Sequence, residues 1–187
     1  MILPYATEHY NSLPGIMESE LRFKECRTID AFGLIGEIFL KYRVQQKLGL
    51  ALLHQHFALA ADEKLVKFGN VAVPWKTAEQ GDEPRNVSPT SWRFIKDGVI
   101  PYEFGWGSES KVSLDDYTDF LAHFSSALQE HGLSEILGLC TLDAFETGGE
   151  PSMEFTSGRA NIMLPFDVSP NEGGAVDAAW QIERGKI

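Results

Sequence analysis

The chain has 187 residues, 27 acidic and 16 basic, for a formal charge of −11. That length suits one domain over residues 1–187 with a sizeable core, and 43% hydrophobic with 23% charged residues is globular rather than disordered composition. The acidic balance excludes a nucleic-acid backbone as main partner, and no apolar run approaches the roughly 20 residues that span a bilayer.

Met1–Tyr5 has neither the basic flank nor the apolar stretch of a secretory signal. Cys26 and Cys140 make no disulfide framework, so a reducing, cytoplasmic setting is expected. Residues 1–27, with Pro4, Pro14 and Gly15, show no sustained period and read as an arm with one short helical piece around Met17–Phe23. A helix is predicted from the capping residue Thr28, because Ile29, Phe32, Ile35, Phe39 and Tyr42 recur at helical spacing. Gly33 and Gly36 each weaken it by up to about 1 kcal/mol relative to Ala, so packing must hold it.

Leu48–Phe57 is short, apolar and bounded by polar residues, which predicts a buried strand with a continued helix as the rival. Residues 64–75 read as one strand, or as two turning at Gly69-Asn70 and ending at Pro74. Residues 76–91, with Gly81, Pro84 and Pro89 among charges, are expected to form an exposed loop. Trp92–Lys96 and Val99–Phe104 then flank Asp97-Gly98, a two-residue hairpin turn.

A second helix is predicted to start at Ser113, with Asp115 and Asp116 in its first turn and Gly132 as its stop. Its apolar stripe is Leu114, Tyr117, Leu121, Phe124 and Leu128. Leu137–Leu142 is the next strand, followed by Met153–Phe155 and Arg159–Leu164 with a turn at Ser157-Gly158. The tail after Pro170 is glycine-rich and reads as flexible, with only Ala178–Ile182 able to add an element.

Two segments, 28–75 and 113–165, line up. Leu48-Gly49-Leu50 falls on Leu137-Gly138-Leu139 at an offset of 89, which grows by two residues by the time Pro74 meets Pro165. Resemblance between any two helix–strand units explains this as well as duplication does. The fold expected is α+β: a largely antiparallel sheet packed by two main helices, open to division into two duplicated αββ halves about a pseudo-two-fold axis.

His54 and His56 are the leading functional residues. On a strand they share one face with Leu48, Leu50 and Leu52, close enough for two imidazoles to hold one divalent metal such as zinc, or an anion. Under the repeat Asp143 corresponds to His54, so Thr141 and Asp143 are expected near the same cavity, with Asp143 orienting an imidazole or completing a metal site. Glu154, Arg159 and Asn161 lie on the second hairpin. Arg159 and Asn161 share strand parity and suit an anionic substrate, while Glu103 is placed to act as a base. Structural roles are the rival reading for each of these side chains. Trp92, Phe94, Tyr102, Phe104 and Trp106 alternate along a hairpin and read either as a pocket wall or as core.

The run His54-Gln55-His56-Phe57-Ala58 resembles the strand of the histidine-triad nucleotide hydrolases, but Ala58 stands where that family carries its nucleophilic third histidine. The two-histidine phosphoesterases carry His-x-Thr or His-x-Ser in each half, whereas the second half here has Asp143-Ala144-Phe145. Neither pattern is complete, and no Walker loop, dinucleotide fingerprint, His-Glu-x-x-His or Gly-x-Ser-x-Gly motif is present.

Three functions fit. The first is a small-molecule enzyme centred on His54 and His56, using acid–base or metal-assisted chemistry. The second is a non-catalytic small-molecule-binding module walled by the aromatic hairpin. The third is an interaction or structural protein, with an oligomer through a sheet edge left open.

Overall fold

A computed structural model describes residues 1–26, 29–76, 86–107, 112–142, 152–165 and 176–182. Its helices are α1 (Thr7–Asn11), α2 (Ile16–Cys26), α3 (Ile29–Tyr42) and α4 (Thr118–Glu130), the last preceded by a 3-10 turn at Leu114–Tyr117. The first five strands are β1 (Leu48–Leu52), β2 (Glu63–Phe68), β3 (Val71–Lys76), β4 (Val87–Ile95) and β5 (Gly98–Trp106). They are followed by β6 (Leu137–Thr141), β7 (Ser152–Ser157), β8 (Ala160–Pro165) and β9 (Ala179–Trp180). All nine join one sheet in the order β7-β8-β3-β2-β5-β4-β6-β1-β9. Among the described strands only β2 and β5 pair in parallel. The fold is therefore α+β with a largely antiparallel sheet, as expected.

One face of the sheet is covered by α3 and α4. Leu48, Leu50 and Leu52 of β1, Leu137 and Leu139 of β6, and Trp92 and Phe94 of β4 meet Ile35, Ile38, Phe39, Phe120, Phe124 and Leu128 in the main core. Phe39 packs edge-on against Phe120 and Phe124 at 5.1 and 5.6 Å. Burial of each such side chain contributes about 1.5–3 kcal/mol, which offsets the helix-weakening effect of the glycines in α3. The β1–β6 register runs symmetrically about Leu50 and Leu139, from Leu48 opposite Thr141 to Leu52 opposite Leu137.

The N-terminal arm packs in two places, with Phe23 of α2 buried in that main core. Tyr10 and Leu13 join Leu53, Leu59, Leu65, Ala72 and Tyr102 in a second apolar cluster. This arm carries two helices rather than one short piece; α1 has five residues, too few to leave a periodic signature.

Other boundaries also differ from the sequence reading. Ser113 makes no capping bond, and the chain takes a 3-10 turn before α4 begins at Thr118. Strand β4 starts at Val87, inside the expected loop, while 77–85 lie outside the described residues. The hairpin closes one residue early, with Ile95 opposite Gly98. Gly98 is needed there because a Cβ would collide with the Met1 carbonyl oxygen, where Ile2 bridges to Val99. Thr28 and most of the expected tail lie outside the described residues, although β9 adds a short edge to β1. Among the described residues no helix is long and apolar enough to cross a membrane.

Glycines test this packing in two directions. A Cβ on Gly138 would strike the Trp92 carbonyl oxygen and stand 2.8 Å from Leu53 Cδ2, because β6 lies tight against β4. Gly138→Ala should therefore destabilise the protein by about 1–3 kcal/mol. Gly33, in α3, has nothing within 4 Å of a built Cβ, so Gly33→Ala should stabilise by up to about 1 kcal/mol. Urea unfolding midpoints of the two variants should move in opposite directions.

Candidate functional site

The chain leaves the sheet after Leu52, so His54 and His56 lie just beyond the strand on which they were expected. The arm fixes this segment instead. Gln55 N–H donates to the Pro14 carbonyl at 2.8 Å, and the Gln55 amide donates to Leu13 O at 2.6 Å. His56 N–H donates to the Tyr10 hydroxyl at 3.1 Å, Ser19 Oγ donates to Leu53 O at 2.7 Å, and Asn11 exchanges two bonds with Leu59. The two imidazoles consequently stand edge to face, with ring centroids 4.8 Å apart.

Cross-strand register assembles the surface they meet. Residues directly opposite on neighbouring strands share a face. Glu154 of β7 lies opposite Met163 of β8, Asn161 opposite Ala72 of β3, Ala72 opposite Lys67 of β2, and Leu65 opposite Glu103 of β5. Register shifts on β4 and β5 leave Thr90 and Tyr102 without direct partners, on either side of the Ser91–Glu103 pair. These bulges turn Glu103 away from the helix-covered face that Trp92 occupies. A hollow of about 40 Å³ results, lined by His56, Glu154, Glu103, Lys67, Thr90 and Asn161 above an apolar floor that includes Leu65 and Met163.

Three donors converge at its edge. His54 Nδ1–H donates to the Leu52 carbonyl at 2.8 Å, which leaves Nε2 facing Glu154 Oε2 at 3.2 Å. His56 Nδ1 lies 3.8 Å from the same oxygen. Potential ligand atoms of His54, His56 and Glu154 all lie within 4.8 Å of one another. On its far side His56 Nε2 is 3.2 Å from the Asn161 amide nitrogen and 3.4 Å from Glu103 Oε1. Glu103 Oε2 in turn accepts the Ser91 hydroxyl at 2.8 Å.

The His54–Glu154 contact is an ion pair in the absence of a ligand. Burial pushes the His54 pKa down, but the Glu154 hydrogen bond and charge, with help from Glu103 and the Leu52 carbonyl, raise it to about 9. Burial pushes the Glu154 carboxyl up, but the His54 hydrogen bond, both imidazoles and Lys67 outweigh that and hold it well below the usual carboxylate range. The side chain of His54 is 8% exposed and that of Glu154 34%, so water screens the pair from one side.

Of the other residues singled out from sequence, Glu103 and Asn161 join this centre. Arg159 sits at the turn between β7 and β8 and pairs with the buried Glu63, while also donating to Ala58 O at 3.3 Å. That hydrogen bond from Arg159 keeps the Glu63 carboxyl below its ordinary pKa. Trp92 is buried in the main core against the helices and does not line the hollow. Asp143 lies outside the described residues. Thr141, two positions before it, pairs with Leu48, at the opposite end of β1 from His54.

Glu154, Lys67, Thr90 and Tyr10 were given no role by the sequence reading. For Glu154 a signal existed, because the turn, which falls at Gly158-Arg159, one residue later than expected, sets Thr156 opposite Asn161 and so puts Glu154 on the Asn161 face. The chain matches no family model, no curated protein and no solved structure.

Two measurements follow from this geometry. Stability from the raised His54 pKa is fully present below its unfolded value near 6.5 and is lost as pH rises through about 9. Stability from the lowered Glu154 pKa is present above about 4.5 and is lost as pH falls toward its folded value. Urea midpoints of the metal-free protein should therefore decline on both sides of a plateau between about pH 4.5 and 6.5, and His54→Gln should abolish the decline above it. Separately, Arg159→Ala leaves the buried Glu63 carboxylate short of a partner and should lower unfolding free energy by about 1–3 kcal/mol. An unchanged midpoint would show that the Ala60 amide and solvent suffice for Glu63.

Proposed function

We propose that this protein is a metal-dependent enzyme acting on a small molecule, with His54, His56 and Glu154 holding a divalent first-row metal such as zinc. The observation that carries the reading is the convergence of the three donors, with the outer nitrogen of His54 already on a carbonyl acceptor. Two imidazoles and one carboxylate form a donor set suited to zinc or ferrous iron, and three protein ligands leave a position open for water or substrate. Ligand atoms of a tetrahedral site with bonds near 2.0–2.1 Å stand about 3.4 Å apart. The separations of 3.2 and 3.8 Å from Glu154 Oε2 lie near that value, while the widest in the set, up to 4.8 Å, has to shorten on binding.

The outer partners suit the role. The Leu52 carbonyl holds the His54 proton on Nδ1 and frees Nε2 for a metal. With a metal on His56 Nδ1, the proton of that ring belongs on Nε2, 3.4 Å from Glu103 Oε1, and the Asn161 amide, whose nitrogen donates to Nε2 in the ligand-free structure, has to turn away. Such carbonyl–histidine and carboxylate–histidine pairs orient a ligand and raise its basicity. A metal bound in this way lowers the pKa of its water toward neutrality and polarises a substrate oxygen, which favours hydrolytic or hydration chemistry.

The chain's acidic charge and two cysteines remain in keeping with a small-molecule partner and a cytoplasmic setting. Duplication of the αββ segments is proposed on the same footing. Leu50 pairs with Leu139 and Val71 with Ile162, and these are the residues that the offsets of 89 and then 91 equate.

Metal analysis of purified protein tests the function directly. About one equivalent of zinc or iron is expected, either retained or restored by titration. Glu154→Gln and the His54→Ala, His56→Ala double variant should each weaken binding by at least about 100-fold, since even outer-shell changes give about 10–100-fold effects. A wild-type protein that takes up no zinc, iron, cobalt or manganese ion would overturn the reading and leave acid–base chemistry by His54 and Glu154 in its place.

A further inference from the structure

We infer that Ser91, acting through Glu103, and Asn161 push the tautomer of His56 in opposite directions and so set how tightly the metal is held. This step rests on the metal reading above. Both are positioning residues, since each reaches the ion only through the imidazole.

An imidazole with one ring proton offers one donor and one acceptor. At His56, Nδ1 faces Glu154 and the metal position, while Nε2 faces Asn161 and Glu103. The Asn161 amide nitrogen, 3.2 Å from Nε2, can only donate, so it requires Nε2 bare and the proton on Nδ1. A proton there occupies the lone pair that a metal would take. Glu103 Oε1, 3.4 Å from the same Nε2, is an acceptor, so it draws the proton to Nε2 and frees Nδ1. The Tyr10 hydroxyl holds the His56 backbone N–H at 3.1 Å and Nε2 lies near both rivals, so a proton shift between nitrogens suffices to change sides.

Each rival is held from behind. Ser91 Oγ donates to Glu103 Oε2 at 2.8 Å, which leaves Oε1 for His56. Ser91 is buried and stands opposite Glu103, between the register shifts on β4. Its oxygen also meets the hydroxyl of the buried Tyr102, which donates to it because the serine proton is already committed. A chain from Tyr102 through Ser91 thus ends on Glu103 and aims it at the imidazole. On the other side, Thr156 Oγ1 donates to Asn161 Oδ1 at 3.3 Å and keeps the amide nitrogen toward His56. Thr156 and Asn161 lie directly opposite each other across the β7–β8 hairpin. The hairpin that brings Glu154 therefore also brings the group that opposes metal binding.

Zinc affinity measured by competition with a chelating dye, together with heteronuclear NMR of the histidine rings, tests both arms. The His56 proton should be found on Nδ1 in the metal-free protein and on Nε2 in the zinc-loaded protein. Ser91→Ala should weaken zinc binding by about tenfold or more, as outer-shell changes do. Asn161→Leu should strengthen it by about two- to tenfold, because binding no longer breaks a hydrogen bond. In a Glu103→Ala background Ser91→Ala should have no further effect, whereas mere loss of structure would weaken binding in either background.

Each contrary result is distinct. Failure of wild type to take up zinc would remove the metal reading and this inference together. Normal uptake with Ser91→Ala at wild-type affinity, or with the same loss in both backgrounds, would overturn the role of Ser91 alone. Unchanged or weaker binding by Asn161→Leu would overturn the opposition, as would a His56 proton on Nε2 in the metal-free protein.

Discussion

The contact between the His54 imidazole and the Glu154 carboxylate joins segments that the strand order keeps apart. Strand β7 is the first in the sheet and β1 the eighth, yet the residue two beyond β1 touches the middle of β7 at 3.2 Å. The sheet must curl for this to occur, and the hollow is the interior of that curl. Strand β8 is joined to β3 through only two registered pairs, supplemented by bonds between Asn70 and Met163. The β7–β8 hairpin is thus placed largely by side chains: Glu154 on His54, Asn161 on His56 and Arg159 on Glu63.

A mechanical latch would need less than the structure supplies. One imidazole and one carboxylate suffice to pin a hairpin, and an apolar contact of similar volume would do so without burying charge. Here two imidazoles face two carboxylates, and both far nitrogens are engaged. The surrounding sheet is bulged at Thr90 and Tyr102, which directs Glu103 to the same place. Bulges and buried ionisable groups both work against stability locally. Their coincidence at one hollow is the pattern expected of a ligand site, where the bound species supplies the missing stabilisation.

How much of this was legible in the sequence varies with the range of the interaction. The helix α3, the strands β1 and β6 and, to within one residue, the β7–β8 turn were readable because periodicity and turn residues are local signals. His54 and His56 stood out because an i, i+2 pair at the end of an apolar run is itself local. Glu154 was half legible: the turn fixed its face, but nothing local tied that face to a histidine 100 positions away in sequence. The bulges that aim Glu103 depend on pairing between β4 and β5 and leave no compositional trace. Helix α1 was missed for a different reason, being too short for a period, although Tyr10 within it holds the His56 backbone. Trp92 illustrates the reverse error of emphasis, since aromatic alternation along a hairpin serves either face and here fills the core under α3 and α4.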